Sequence, residues 1–415
     1  SLFALTGCTP GIAVSATSHT FSLTEDTWTF QAWNDAYEGE TVALAFATDR
    51  NWLTATPANA ASTGPDDPVE VTVTVHRDQL AKATLDATIF VTSDQDDEID
   101  IAIEVETTGG GEGEGEGEMD YRQAMRDFVQ AISAYAKSDR SDFLIVPQNG
   151  EALLTATGEP DGAPSSDYLA AIDGQGREDV FYGYDNDNTP TPLDVTEAFV
   201  AMLGVAEVNN VQVLVTDYCW TQDYMEQSYL QNSTLGFVSF AATHRDLDNI
   251  PGFPSPIFFE SDDDIATLAD ASNMLYLINP GNYPSAEAFI AAVAGTNYDL
   301  LIADAFYDDA MLTSAQVAAL KLKANGGARL VISYMSIGEA EDYRYYWQSG
   351  WRPGTPSWLA AENPDWEGNY KVRYWDPGWQ AIIFGSANAY LDRILAAGFD
   401  GVYLDIIDAY EYFEE

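Results

Sequence analysis

Hydrophobic and polar residues alternate in twos along the first hundred positions of this chain. Residues 69–75 read Val-Glu-Val-Thr-Val-Thr-Val, residues 99–105 read Ile-Asp-Ile-Ala-Ile-Glu-Val, and residues 41–46 read Thr-Val-Ala-Leu-Ala-Phe. A period of two places one face of a strand in a core and the other toward water. Several such runs, separated by Pro, Gly and Asp turns, predict an all-β sandwich over residues 9–107. Beyond residue 119 the period changes. Tyr121, Met125, Phe128, Val129, Ile132 and Tyr135 fall on one side of a helix. Helix-compatible segments then alternate with short apolar runs at 143–146, 180–183, 211–217, 236–242, 274–278, 299–304, 329–335 and 401–407. Alternation of this kind predicts parallel strands joined by crossover helices. Eight of them in roughly 300 residues predict an α/β domain over 119–415, closed as a (β/α)8 TIM barrel. The order is unusual for such a barrel, since it opens with a helix and ends with a strand.

Between the two patterns, residues 109–118 read Gly-Gly-Gly-Glu-Gly-Glu-Gly-Glu-Gly-Glu. Glycine makes this stretch flexible and the repeated like charge extends it, so 108–118 is read as a linker between two domains. The chain opens Ser1-Leu2-Phe3-Ala4-Leu5-Thr6-Gly7-Cys8. Leu-Thr-Gly-Cys resembles a bacterial lipobox, which implies that residues 1–8 are the remnant of a signal peptide. Cys8 would then carry a lipid that holds the protein to a membrane, at the cell envelope or outside the cell, and a Cys8–Cys219 disulfide would be excluded. No later segment approaches the roughly 20 apolar residues needed to span a bilayer.

Charge narrows the function classes. Seventeen Lys and Arg stand against 67 Asp and Glu, for a formal net charge of −50. Nucleic-acid binding depends on Lys and Arg neutralising phosphates, so no nucleic-acid partner is expected. The balance fits an extracytoplasmic protein, a salt-adapted one, or one that attracts cationic ligands. His19, His76 and His244 lie far apart, which argues against a multi-histidine metal site. No glycine-rich phosphate loop follows any of the predicted strands. No metal or cofactor is expected, and a monomer is.

Candidate chemistry gathers at the last predicted strand, where Asp405 and Asp408 end the run Gly-Val-Tyr-Leu-Asp-Ile-Ile-Asp at 401–408. Barrel enzymes carry their reactive groups at the C-terminal ends of their strands. Here the sequence becomes familiar. Ser-Tyr-Met-Ser-Ile-Gly-Glu-Ala-Glu-Asp-Tyr-Arg at 333–344, Glu-Asn-Pro-Asp-Trp-Glu-Gly-Asn-Tyr at 362–370, Val-Arg-Tyr-Trp-Asp-Pro at 372–377 and the 401–408 run resemble hallmark blocks of extracellular glycoside hydrolases. These are relatives of the endo-α-1,4-polygalactosaminidases, glycoside hydrolase family 114. Pro-Gln-Asn-Gly at 147–150 and Glu-Asp-Val-Phe-Tyr at 178–182 resemble the family too. In those relatives the blocks from about residue 299 onward come first and those near 124–178 follow. The resemblance therefore implies a circularly permuted barrel, with residues 251–273 bridging the old ends.

The resemblance implies two catalytic carboxylates, Asp405 as the charged partner and Glu178 as general acid/base, with Asp408 as an alternative to Asp405. Asp304, Glu339, Glu341, Arg344, Asn149 and Asp217 are read as substrate-binding or orienting groups of the same mouth, with an ion-paired loop as the other reading of Glu339, Glu341 and Arg344. Tyr374, Trp375, Tyr403, Tyr182 and Trp366 offer flat faces for sugar rings. The implied substrate is an α-1,4-linked galactosamine-type polysaccharide, which the acidic charge suits. The N-terminal module resembles BACON-type immunoglobulin-like domains; spacer and glycan-binding roles both stand for it. A non-catalytic glycan-binding barrel is the alternative to the enzyme.

Overall fold

The computed structural model describes residues 11–21, 26–35, 40–48, 50, 52–76, 86–95, 97–105 and 119–414. Cys8 and the linker at 108–118 lie outside the described residues. The chain separates into two compact units, Ser1–Gly117 and Glu118–Glu415.

In the first unit two sheets enclose one core. The four-stranded sheet runs in the order Ile12–Val14, Thr27–Asn34, Val69–Val75, Leu53–Thr56, and the five-stranded sheet in the order Ser18–Phe21, Glu98–Val105, Asp86–Ser93, Val42–Thr48, Asn59–Ser62. Alternation explains the arrangement: Val71, Val73 and Val75 point inward from one sheet and meet Leu44, Ile89, Val91, Ile101 and Ile103 from the other. Trp52 is buried in this core and Trp28 packs against it, stacked on His19 with ring centroids 4.3 Å apart. Neither offers a free platform for a sugar.

The second unit contains eight parallel strands: β1 (Leu144–Pro147), β2 (Gly174–Glu178), β3 (Gln212–Tyr218), β4 (Val238–Ala242), β5 (Met274–Leu277), β6 (Leu300–Asp304), β7 (Leu330–Ser336) and β8 (Gly401–Asp405). They form two ladders, β1-β8-β7-β6-β5 and β2-β3-β4. A parallel bridge between Gln148 and Gly176 joins β1 to β2, and β4 packs beside β5. The strand read from sequence at 401–407 had to be paired on both edges, one of them by the strand at 143–146. It is: Val402 lies opposite Ile145 of β1 and Ser333 of β7.

One strand was misplaced by the sequence reading. The second strand is β2, Gly174–Glu178, while residues 180–183 form a bend and an isolated antiparallel bridge from Tyr182 to Pro190 after it. β2 reads Gly-Gln-Gly-Arg-Glu and carries no apolar side chain, so hydrophobicity could not reveal it. Its glycines have a steric reason. A Cβ on Gly176 would sit 2.1 Å from the hydroxyl oxygen of Tyr403 on β8, so the side chain of one strand occupies the space the other leaves.

Helix α1 (Tyr121–Asp139) starts where the Asp120 carboxylate accepts the backbone N–H of Gln123 at 2.8 Å, and it buries Met125, Phe128, Val129 and Ile132 as its pattern requires. The final helix α2 (Tyr410–Glu414) returns to it. Arg122 Nε donates to Glu414 Oε1 at 3.0 Å, and the Tyr121 and Phe413 rings lie 5.6 Å apart. The two ends of this unit are therefore neighbours. After β7 the chain leaves the parallel sheet for an antiparallel ribbon ordered Glu339–Glu341, Asn369–Val372, Leu359–Glu362, none of which is among the eight apolar runs of the sequence.

Candidate active site

Three strands end in residues forced out of ordinary backbone geometry. Asn149, just after β1, has φ 61°; Asp179, after β2, also has φ 61°; Ile406, after β8, has φ 58°. A left-handed β-branched residue is a genuine steric outlier, and such strain collects where side chains must be aimed. At β8 the surroundings hold it. Ile337 N–H donates to the Asp405 carbonyl at 3.1 Å, and a Cβ on Gly338 would meet the Ile406 carbonyl oxygen at 2.1 Å. Glycine at 338 thus lets the post-β7 ribbon close down on the turn beside Asp405.

These turns surround a cavity of about 570 Å³. Of the residues nominated from sequence it gathers Glu178, Asp405, Asn149, Asp304, Glu339, Glu341, Arg344 and Asp408. Glu178 ends β2 and Asp405 ends β8, so two carboxylates far apart in sequence open into one space. Their surroundings differ. Glu178 accepts from three donors: the Tyr218 hydroxyl at Oε1, and Gln148 Nε2 at 2.8 Å and Asn149 Nδ2 at 3.1 Å at Oε2. The donors are themselves fixed, Gln148 by the Tyr276 hydroxyl at 2.8 Å and Asn149 by Arg177 Nη1 at 2.8 Å. Asp405 accepts from the Tyr334 hydroxyl at 2.7 Å. Burial, and then the charge of Glu178, push the Asp405 carboxyl up to about 7. Asp408, on the turn after β8, is pushed up to about 6 by burial and then by Glu411.

The Asp405 carboxyl therefore keeps its proton close to neutrality. A carboxyl that keeps its proton can serve as an acid, whereas the family resemblance implies Asp405 as the charged partner.

A second carboxylate group lies on the ribbon side. Arg344 Nε binds Glu341 Oε2 at 2.7 Å, and its Nη1 binds Asp304 Oδ1 at 2.9 Å. The Tyr343 hydroxyl donates to Glu341 Oε1 at 2.7 Å. Arg344 is nearly buried, so it consumes the hydrogen-bonding capacity of Glu341 and ties β6 to the ribbon. On the opposite side Arg245 lies over the Tyr218 ring at 3.8 Å and binds Asp179 Oδ1 at 2.8 Å. That guanidinium braces the tyrosine that donates to Glu178.

Five nominated residues do not reach the cavity. Asp217 is fully buried on β3; its Oδ1 accepts the N–H groups of Phe181 and Tyr182 at 2.8 and 3.2 Å, and its Oδ2 accepts Ser228 Oγ at 2.6 Å and Asn232 Nδ2 at 3.1 Å. With its oxygens filled by protein donors it organises the turn after β2. Tyr374 is buried, its hydroxyl donating to the Tyr121 carbonyl at 2.8 Å, and Trp375 packs on Tyr121 and Phe413. Both seal the place where the two ends of the unit meet. Tyr403 is buried between strands against Gly176 and presents no face to the cavity. Tyr182 is likewise buried, stacked on Tyr224. Trp366 does line the cavity. Sequence reasoning missed Tyr218, Tyr276 and Tyr334, which donate around the carboxylates. The available signal was tyrosine inside otherwise aliphatic strands, where its hydroxyl needs a partner.

Parallel strands with crossover helices carry paired carboxylates at their C-terminal ends, where enzymes of this architecture keep their reactive groups. Residues 281–415 match the family model of glycoside-hydrolase family GH114. An uncharacterized protein of Methanocaldococcus jannaschii is 37% identical over 182 residues, 43% of this chain and 49% of that protein. An uncharacterized protein of Deinococcus radiodurans is 51% identical over 120 residues, 29% of this chain and 36% of that protein. One of Thermotoga maritima is 37% identical over 123 residues, 30% of this chain and 36% of that protein. The chain thus spans between a third and a half of the length of these curated relatives. Among solved structures, a Bacteroides ovatus GH5 xyloglucanase bound to a heptasaccharide aligns over 78% of this chain and 72% of its own, at 13% identity and a TM-score of 0.21.

Proposed function

We propose that residues 119–415 form a circularly permuted (β/α)8 glycoside hydrolase that cleaves α-1,4-linked galactosamine-type polysaccharide internally, using Glu178 and Asp405. The observation that carries this is the pair itself. Two carboxylates from β2 and β8 share one cavity, and burial beside Glu178 pushes the Asp405 carboxyl up to about 7. Glycoside cleavage needs one carboxyl to protonate the leaving oxygen while the other, ionised, supplies the nucleophile or activates water. Family-model coverage of 281–415, the half holding Asp405, supports the hydrolase reading; the block order in the sequence and the adjacency of residues 121 and 414 support permutation. The net charge of −50 supports a cationic polymer. The Leu-Thr-Gly-Cys motif ending at Cys8 supports a lipid-anchored place at the cell envelope.

Release of reducing ends from α-1,4-galactosamine polymer tests the activity. Glu178→Gln and Asp405→Asn should each lower kcat by about 10²–10⁴. If the two variants matched the wild type, the site would be elsewhere; if the wild type bound polymer without releasing ends, the chain would be a glycan-binding protein. Aryl glycosides separate the roles. A good leaving group needs no acid, so Asp405→Asn should recover on them if Asp405 holds the proton. Recovery of Glu178→Gln instead would restore the roles implied by the sequence.

A further inference from the structure

Glu339 is 1% exposed and lines the same cavity as Asp405. Both of its near partners bind one oxygen: Lys371 Nζ lies 2.7 Å and Asn363 Nδ2 2.8 Å from Oε1. The other oxygen, Oε2, is buried without a hydrogen-bond partner. A carboxyl oxygen shielded from water with no hydrogen-bond partner is costly. A donor brought by a ligand would remove that cost.

Above it the ribbon places two aromatic faces. Trp366 is 54% exposed and Tyr343 is 55% exposed, although large aromatic side chains are usually covered. Both line the cavity. Neither backbone is loose. Trp366 N–H donates to the Asn363 carbonyl at 3.3 Å and its carbonyl accepts from Asn369 N–H at 3.1 Å, while the Tyr343 ring is held through its hydroxyl on Glu341. Ile337 and Gly338 latch the same ribbon to the turn carrying Asp405.

We infer that Glu339 and Trp366, both on the post-β7 ribbon, form a sugar-binding subsite next to Asp405. A pyranose unit fits this chemistry, with a C–H face for the indole and a hydroxyl or ammonium donor for Glu339 Oε2. The inference rests on the glycoside hydrolase reading above, and it assigns substrate selection to an element outside the parallel strands. Because Glu339 accepts only, the sugar position it meets must carry a donor.

The test is calorimetric titration of the full chain in an Asp405→Asn background, so that binding is read without cleavage. The probes are α-1,4-linked galactosamine oligosaccharides, fully deacetylated or N-acetylated. Adding Trp366→Ala should weaken binding about 3- to 10-fold, the range of one aromatic contact, and Trp366→Phe should restore most of it. Adding Glu339→Gln should weaken it about 10- to 100-fold, the range of one hydrogen bond to a charged group. An ammonium donor would make the Glu339→Gln loss larger for the deacetylated oligomer; a hydroxyl donor would make it equal for both. Trp366 is exposed, so its variants test the subsite even if Glu339→Gln fails to fold. Unchanged affinity in the Trp366→Ala chain would overturn the subsite while leaving the hydrolase reading in place. If Asp405→Asn alone bound neither oligomer, the substrate reading and the subsite would fall together.

Discussion

Asp405 is where the environment of one side chain governs both chemistry and stability. Its carboxyl ionises near 3.8 in an open chain and at about 7 in the fold, because burial and the Glu178 charge oppose ionisation. A proton is thus bound more tightly by the folded state. Well below pH 4 both states are protonated and nothing is lost; as pH rises from 4 to 7 the unfolded state gains by ionising while the folded state cannot, and above 7 the full cost, on the order of 4 kcal/mol, is present. Asp405→Asn removes this cost. The variant should melt higher than wild type at pH 8, with the difference vanishing toward pH 4; an equal advantage at both pH values would mean that Asp405 is not the group that titrates. Hydrolysis should decline as pH passes about 7 and the Asp405 proton is lost.

Gly176 and Tyr403 show how two strands set each other's sequence. β2 has no side chain at Gly176 because β8 fills that space with the Tyr403 ring. Gly176→Ala should therefore destabilise by about 1–3 kcal/mol through overpacking, lowering Tm by several degrees. The Tyr403 hydroxyl is buried without a hydrogen-bond partner, so Tyr403→Phe should cost little and should relieve part of the Gly176→Ala defect. A double-mutant cycle reads that coupling; strictly additive effects would mean that the two positions do not meet. This pair also explains what could be read from sequence and what could not. Seven of the eight strands carry enough Val, Ile, Leu or Phe to stand out from their surroundings. The remaining one, which bears Glu178, is buried by its neighbours rather than by its own residues.

For the whole unit, the contact between Arg122 and Glu414 carries a topological consequence. The two ends of residues 119–414 are side by side, so a short linker can join them without distortion. A chain opened within 251–273, and joined from residue 414 to residue 121, should fold with a Tm within a few degrees of the original and keep the Glu178–Asp405 cavity. Loss of cooperative unfolding in that chain would show that 251–273 is structural rather than a tether.

The amino-acid pattern alone determined the change from sandwich-type to strand-helix periodicity, the run of parallel strands, and the carboxylates at the strand ends. Those features are local: periodicity and turn residues act over a few positions. Only the tertiary structure decided that Tyr374, Trp375 and Tyr403 are packing residues while Trp366 is open to the cavity. It alone decided that Asp217 is saturated by Phe181, Tyr182, Ser228 and Asn232, and that Tyr218 and Tyr334 serve the two carboxylates. Accessibility and hydrogen-bond satisfaction belong to contacts between distant segments, and a one-dimensional pattern does not carry them.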